Sequence, residues 1–264
     1  MERFGFVSEP FTREIRTDHR YKVDFIEAEV KALREVVEAR QSGVIIGPAG
    51  SGKTVVLRTL LSELPESRYR VVYLKLADLG ARDMCRQIAL GLGLPSAGSF
   101  PALARALEER LQSGFSAQSM RQVLIFDDAH ELRADSLRLA RLLTNFDMDS
   151  KLVVSVILAG QLPLKKMLTA PELEDVRQRM SSCSEVRLFS REESLAYITH
   201  RVKIAGASKS PFAAGASDAV FEITKGNMRA IDTLANMALR VTDEAKRNVV
   251  SASDIAIAKA KLWM

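Results

Sequence analysis

The sequence predicts an α/β fold, a parallel sheet sandwiched by helices and followed by a small all-helical domain. Three observations predict it. Continuous apolar runs alternate with helical patterns as far as Ser190, which is the pattern of a sheet buried on both faces. A glycine-rich turn joins the first apolar run to a helix. Beyond Ser190 four helical patterns follow one another with no strand between them.

Residues 1–25 are irregular and carry Phe4, Phe6, Phe11, Tyr21, Phe25 and Pro10. Such a segment could pack over a nucleotide base or serve as a strap on the core. Ile26–Arg40 reads as an amphipathic helix, with Ile26, Val30, Leu33, Val36 and Val37 on one stripe. Ser42-Gly43 is expected to separate it from the first strand, Val44–Ile46. A helix over Lys53–Leu64 ends at Pro65-Glu66-Ser67. Val71–Leu76 is the second strand. Helices Arg82–Leu92 and Pro101–Leu111 follow, separated by a Pro/Gly/Ser loop, and Gly114–Ser119 is a polar loop. Pro101 suits a first helical turn.

Val123–Phe126 is the next strand, then a helix over Ala134–Thr144 and a strand over Leu152–Leu158. Leu162–Leu168 and Glu172–Arg179 read as helices, and Glu185–Leu188 as a short strand. The helical patterns of the last part are Glu192–Ala205, Ser217–Thr224, Met228–Val241 and Ser253–Leu262, with Ser190 and either Ser251 or Ser253 as N-caps. The division expected is residues 1–190 for the sheet domain with its N-terminal strap, and 191–264 for the helical lid.

Gly47-Pro48-Ala49-Gly50-Ser51-Gly52-Lys53-Thr54 is a G-x-x-x-x-G-K-[ST] phosphate loop, with Val55 next in the helix. Glycines let backbone N–H groups turn inward around an anion, and the helix behind them directs its positive dipole end at phosphate. Lys53 can reach the outer phosphates of ATP, and the Thr54 hydroxyl can hold Mg²⁺. Asp127-Asp128 ends a central strand, where Asp127 would hold Mg²⁺ and Asp128 would activate the attacking water. Gln161, at the tip of the next strand, can contact the γ-phosphate or that water. Arg177 and Arg179 offer positive charge that a neighbouring subunit could use during hydrolysis. Arg229, in Gly226-Asn227-Met228-Arg229, could reach a nucleotide from the helical domain.

Together these features resemble an AAA+ ATPase, and more nearly the ExeA-type members. The pattern of that type is matched by Phe4-Gly5-Phe6 with Pro10-Phe11, by Ile125–His130, by Ala159–Leu164 and by Val176–Met180. The likeness spans essentially the whole chain. Two positions depart from it: the usual catalytic Glu is Asp128, and the Pro expected before the lid arginine is Met228. The resemblance implies ATP and Mg²⁺ as cofactors and ATP hydrolysis as the activity.

The family divides into secretion-pathway members, which carry a transmembrane helix and a periplasmic domain, and transposition ATPases of the MuB and TnsC kind. The second branch implies binding to double-stranded DNA, a homo-oligomer (ring or helical filament) and a transposase partner. The sequence, which ends at Met264 after the lid, is expected to follow that branch. No apolar run approaches the ~20 residues that span a bilayer, and the N-terminus lacks the pattern of a secretory signal. A cytoplasmic protein without a membrane partner is expected. Cys85 and Cys183 suggest neither a disulfide framework nor a zinc site.

Net charge is +5, and residues 201–264 hold ten Lys and Arg against six Asp and Glu. That bias is compatible with nucleic acid or with an ordinary solvated face. AAA+ proteins of this kind place DNA contacts on pore-facing loops, which makes Lys75, Arg82 and Arg86 the candidates, with Lys165 and Lys166 second. Phosphate contacts need only a cation at the right height, so the expected binding has no sequence preference.

Overall fold

A computed structural model describes residues 2–12, 14–75, 78–113, 120–144 and 152–262. Two compact units emerge. One comprises Phe25–Pro48 and Lys53–Val186, the other Met1–Asp24, Ala49–Gly52 and Arg187–Met264. The sequence reading places the N-terminal strap with the sheet. In the structure it packs with the C-terminal helices instead.

The first unit is a five-stranded parallel sheet with helices on its connections, as the sequence predicts. Its strands are β1 (Ser42–Ile46), β2 (Tyr69–Lys75), β3 (Arg121–Asp127), β4 (Val154–Gly160) and β5 (Met180–Glu185), in the order β2-β3-β4-β1-β5. Helices α1 (Asp24–Glu38), α2 (Lys53–Glu63), α3 (Ala81–Gly91), α4 (Phe100–Ser113), α5 (Ala134–Thr144), α6 (Leu162–Thr169) and the single turn α7 (Glu174–Arg177) connect them. Central strands are buried throughout because both faces are covered. Ile46, Leu124, Phe126, Val156 and Leu158 share a core with Met84, Ile88, Leu103, Leu107 and Leu137. The intervening Ile45, Ile125 and Ile157 are equally buried, as are Ile26, Leu33, Val56 and Leu60 of α1 and α2. Each such side chain contributes about 1.5–3 kcal/mol, which outweighs the modest intrinsic preferences of these segments.

Several boundaries differ from the sequence reading. Ser42 and Gly43 lie inside β1, since α1 is already stopped by Arg40 in the left-handed region at φ 58°. The Ser42 hydroxyl accepts from the Val156 amide at 3.0 Å. The last strand is not Glu185–Leu188 but Met180–Glu185, a polar segment at the sheet edge. Its pairing with β1 steps over one residue, Ser42 opposite Met180 and Gly43 opposite Ser182. The helix expected over Glu172–Arg179 is a 3-10 turn, Pro171–Leu173, followed by α7. The expected strand end at Leu76 and the loop at 114–119 lie outside the described residues.

The second unit contains α8 (Arg191–Ile204), α9 (Ala214–Thr224), α10 (Met228–Glu244) and α11 (Ala252–Ala260). Ser190 and Ser251 cap α8 and α11 with reciprocal capping boxes to Glu193 and Asp254. The N-terminal segment is held by a buried arginine. Arg201 donates to Pro10 O at 2.7 Å, to Thr12 O at 2.5 Å and to the Tyr197 hydroxyl at 2.7 Å. Tyr197 in turn donates to Asp232. Tyr21 packs edge-on against Phe189 and Tyr197, and Phe4 and Phe11 are buried in this unit.

Candidate functional site

The phosphate loop leaves β1 at the carboxyl edge of the sheet and enters α2. Gly50 and Gly52 have φ of 75° and 106°, a left-handed backbone that residues with a Cβ resist. Lys53 is buried and donates from Nζ to Gly47 O and Pro48 O, both at 2.9 Å. The turn is thus closed on its own ammonium group. Gly47 N donates to Gly160 O at 3.2 Å, tying the loop to the end of β4. The Ser51 hydroxyl is buried with no hydrogen-bond partner among the described residues. An orphaned hydroxyl, left-handed glycines and a helix N-terminus fit an anion such as a nucleotide phosphate. Ala49 O accepts from Asn227 Nδ2 at 2.7 Å within the second unit, and a side chain at Gly50 would collide with Asn227.

The acidic strand end stands next to Thr54. Asp127 is 4% exposed. Its Oδ2 accepts from the Thr54 hydroxyl at 3.4 Å and from the Tyr73 hydroxyl at 2.5 Å, and its Oδ1 accepts from the Asp128 amide at 3.0 Å. Burial first, then the bond to Asp127, push the Tyr73 phenol well above the ordinary tyrosine value. It therefore remains a donor at neutral pH. Thr54 is exposed beside this carboxylate. A hydroxyl and a carboxylate are the sparse protein donor set that Mg²⁺ uses when phosphates complete its shell.

Asp128 has φ 55°, and its carboxylate pairs with Lys75 Nζ at 3.3 Å. Two positions on, His130 starts a contact that the sequence did not suggest. Its Nε2 lies 2.8 Å from Gln161 Nε2, while its Nδ1 is buried and unpartnered among the described residues. Gln161 is the N-cap residue of α6. Gly160 has no room for a Cβ, since Leu164 and the His130 amide fill that space. The tip of β4 is thereby drawn against the turn after Asp128.

The remaining candidates are placed as follows. Arg177 is exposed at the end of α7 and forks onto Glu174 of the same turn, with Nε 3.0 Å from Oε2. Arg179 follows, half-buried, before β5. Arg229 is exposed in the first turn of α10, two residues after its cap Asn227. Asn227 Oδ1 accepts from Ala230 N at 3.1 Å. Of the basic residues considered for DNA, Lys75 meets Asp128, Arg82 donates to Gly98 O at 3.2 Å, and Arg86 reaches Asp83 at 3.5 Å. Lys165 meets Glu185 at 3.6 Å, and Lys166 lies in the last turn of α6. Tyr73, His130 and Asn227 were missed because a strand tyrosine, an acidic-turn histidine and a cap asparagine each have ordinary structural readings.

Among known proteins, the chain is 27% identical over 97% of its length to General secretion pathway protein A of Aeromonas hydrophila. It spans about half of that relative, 47%. Similar solved structures include Cdc6p from Pyrobaculum aerophilum, with TM-score 0.78 and 16% identity over 97% of this chain and 71% of that one. The Aeropyrum pernix ORC1 protein in complex with DNA aligns with TM-score 0.72 and 16% identity, over 96% of this chain and 68% of that one. At such identities these likenesses concern the fold. The AAA domain model AAA_22 matches residues 35–168, about half of the sequence and the part that contains the phosphate loop and Asp127-Asp128, so the chain belongs to the AAA domain family of P-loop ATPases.

Proposed function

We propose that the chain is a Mg²⁺-dependent ATPase that binds duplex DNA without sequence preference, assembles on it as a homo-oligomer and recruits a transposase. The observation that carries the ATPase part is the meeting of Thr54 with the buried Asp127 beside a phosphate loop holding an orphaned Ser51 hydroxyl. Gly47–Thr54 and Val55 would cradle ATP, with Lys53 exchanging its loop carbonyls for phosphate oxygens. Thr54 and Asp127 would hold Mg²⁺, which neutralises charge on the transferred phosphoryl group. Asp128 would accept the proton of the attacking water, and Gln161, held by His130, would orient that water or the γ-phosphate. Arg177 or Arg179 of a neighbouring copy, and Arg229 of the helical unit, would supply positive charge. Arg177 would first have to leave Glu174.

The DNA part is supported by the basic bias of residues 201–264, by the DNA-bound ORC1 protein of similar fold, and by the sequence resemblance to transposition ATPases. The decisive test is retardation of an arbitrary duplex at low salt, with and without a non-hydrolysable ATP analogue. Analogue-dependent retardation is the expected result, and no retardation under either condition ends this reading.

A second reading, an ATPase of secretion or envelope assembly, is favoured by the likeness to General secretion pathway protein A. It expects ATP turnover without DNA affinity, and a membrane-protein partner. Among the described residues no helix is long and apolar enough to cross a membrane. Measurable turnover that responds to Asp128→Asn would count against a third possibility, a nucleotide-gated scaffold.

A further inference from the structure

Tyr73 is an unusual strand residue. Its neighbours Val72 and Leu74 are buried, whereas Tyr73 is 41% exposed. In the parallel register Tyr73 faces Ile125, and Lys75 faces Asp127. Side chains two apart on a strand share a face, so Tyr73 and Lys75 rise on the same side of β2. They engage consecutive carboxylates, Tyr73 that of Asp127 and Lys75 that of Asp128.

A carboxylate offers about four lone-pair sites, two on each oxygen. On Asp127, Oδ2 receives both the Tyr73 and Thr54 hydroxyls, while among the described residues Oδ1 receives only the Asp128 amide. From this asymmetry we infer that Tyr73 is a positioning residue of the magnesium site, saturating Oδ2 of Asp127 so that Oδ1 is the oxygen presented to the ion or to its water. The inference rests on the reading that Thr54 and Asp127 hold Mg²⁺. It assigns Tyr73 no contact with nucleotide.

Tyr73→Phe removes one hydroxyl and keeps the ring. The test uses the full chain and Mn²⁺, whose paramagnetism reports binding directly, together with a non-hydrolysable ATP analogue. Losing a hydrogen bond to a charged group should weaken Mn²⁺ binding about tenfold and raise the Mg²⁺ needed for half-maximal turnover similarly. Nucleotide affinity measured in EDTA should stay within about twofold. In an Asp127→Asn background the substitution should add no further loss, because Tyr73 acts only through that carboxylate.

Equal Mn²⁺ affinity in the two proteins overturns the inference and leaves the ATPase reading standing. Losses that add in the double variant, or a parallel fall in EDTA, make Tyr73 a residue of the fold and overturn it too. A wild-type chain that binds nucleotide no better than Lys53→Ala removes the underlying reading, and the inference with it.

Discussion

Asp128 combines a short acid with a left-handed backbone. Aspartate and asparagine visit that region more readily than longer side chains, which lose roughly 1–2 kcal/mol there. The departure from the family's Glu therefore coincides with a backbone that suits Asp. Asp128→Asn should keep stability within about 0.5 kcal/mol and lower ATP turnover by a factor of roughly 10²–10⁴, read from phosphate release beside a thermal melt. Asp128→Glu should cost about 1 kcal/mol of stability in the same melt. Lys53→Ala should abolish nucleotide binding, as titration calorimetry would report. At Glu193, the Arg187 hydrogen bonds hold the carboxyl below the ordinary glutamate value despite burial, with help from the Ser190 amide. A depressed folded pKa stabilises above the unfolded value of about 4.3 and loses that effect as pH falls through the folded one. Glu193→Gln should flatten this acid loss, which urea unfolding between roughly pH 6 and pH 3 would measure.

Elements were readable where burial imposes a pattern. β1, β3 and β4 carry the apolar stretches Val44–Ile46, Val123–Phe126 and Val156–Ala159 because covered strands need them, and the phosphate loop shows its glycines openly. β5 escaped because an edge strand needs no apolar run: Met180–Glu185 is serine-rich, and the more apolar Val186-Arg187-Leu188 drew the assignment instead. The strap's location was equally hidden, since aromatic residues at 4, 11 and 21 announce burial but not against which partner. Gly226 shows what local sequence does specify. At φ 80°, a Cβ there would run into the Phe189 backbone, and the Phe189 amide donates to Gly226 O at 3.0 Å. Gly226→Ala should destabilise the helical unit by roughly 3 kcal/mol, visible as a lowered melting temperature.

For the molecule as a whole, the nucleotide chemistry was far more legible than the partner. A phosphate demands particular backbone turns and donors, whereas a polyanion asks only for cations at a suitable height. The candidates Lys75, Arg86 and Lys165 each already face a carboxylate, so a DNA contact there would have to compete with an existing pair. The predicted affinity for duplex should fall steeply between low and moderate salt, as titrations at stepped ionic strength would show. Arg177→Ala should leave nucleotide binding intact while reducing turnover, provided the residue works across a subunit boundary. Mixing it with Lys53→Ala would then restore part of the activity, because one site in such a mixture can be complete.

Arg201, with 4% of its surface exposed, depends on carbonyls supplied by Pro10 and Thr12. Trimming the chain past residue 12 would leave that cation with the Tyr197 hydroxyl and the Asp232 carboxylate 3.5 Å away but without its two carbonyls, each a hydrogen bond to a charged group worth about 1.5–3 kcal/mol. A shortened version made for crystallisation should therefore retain those two carbonyls, since a neutral residue at 201 would leave Asp232 without its cation.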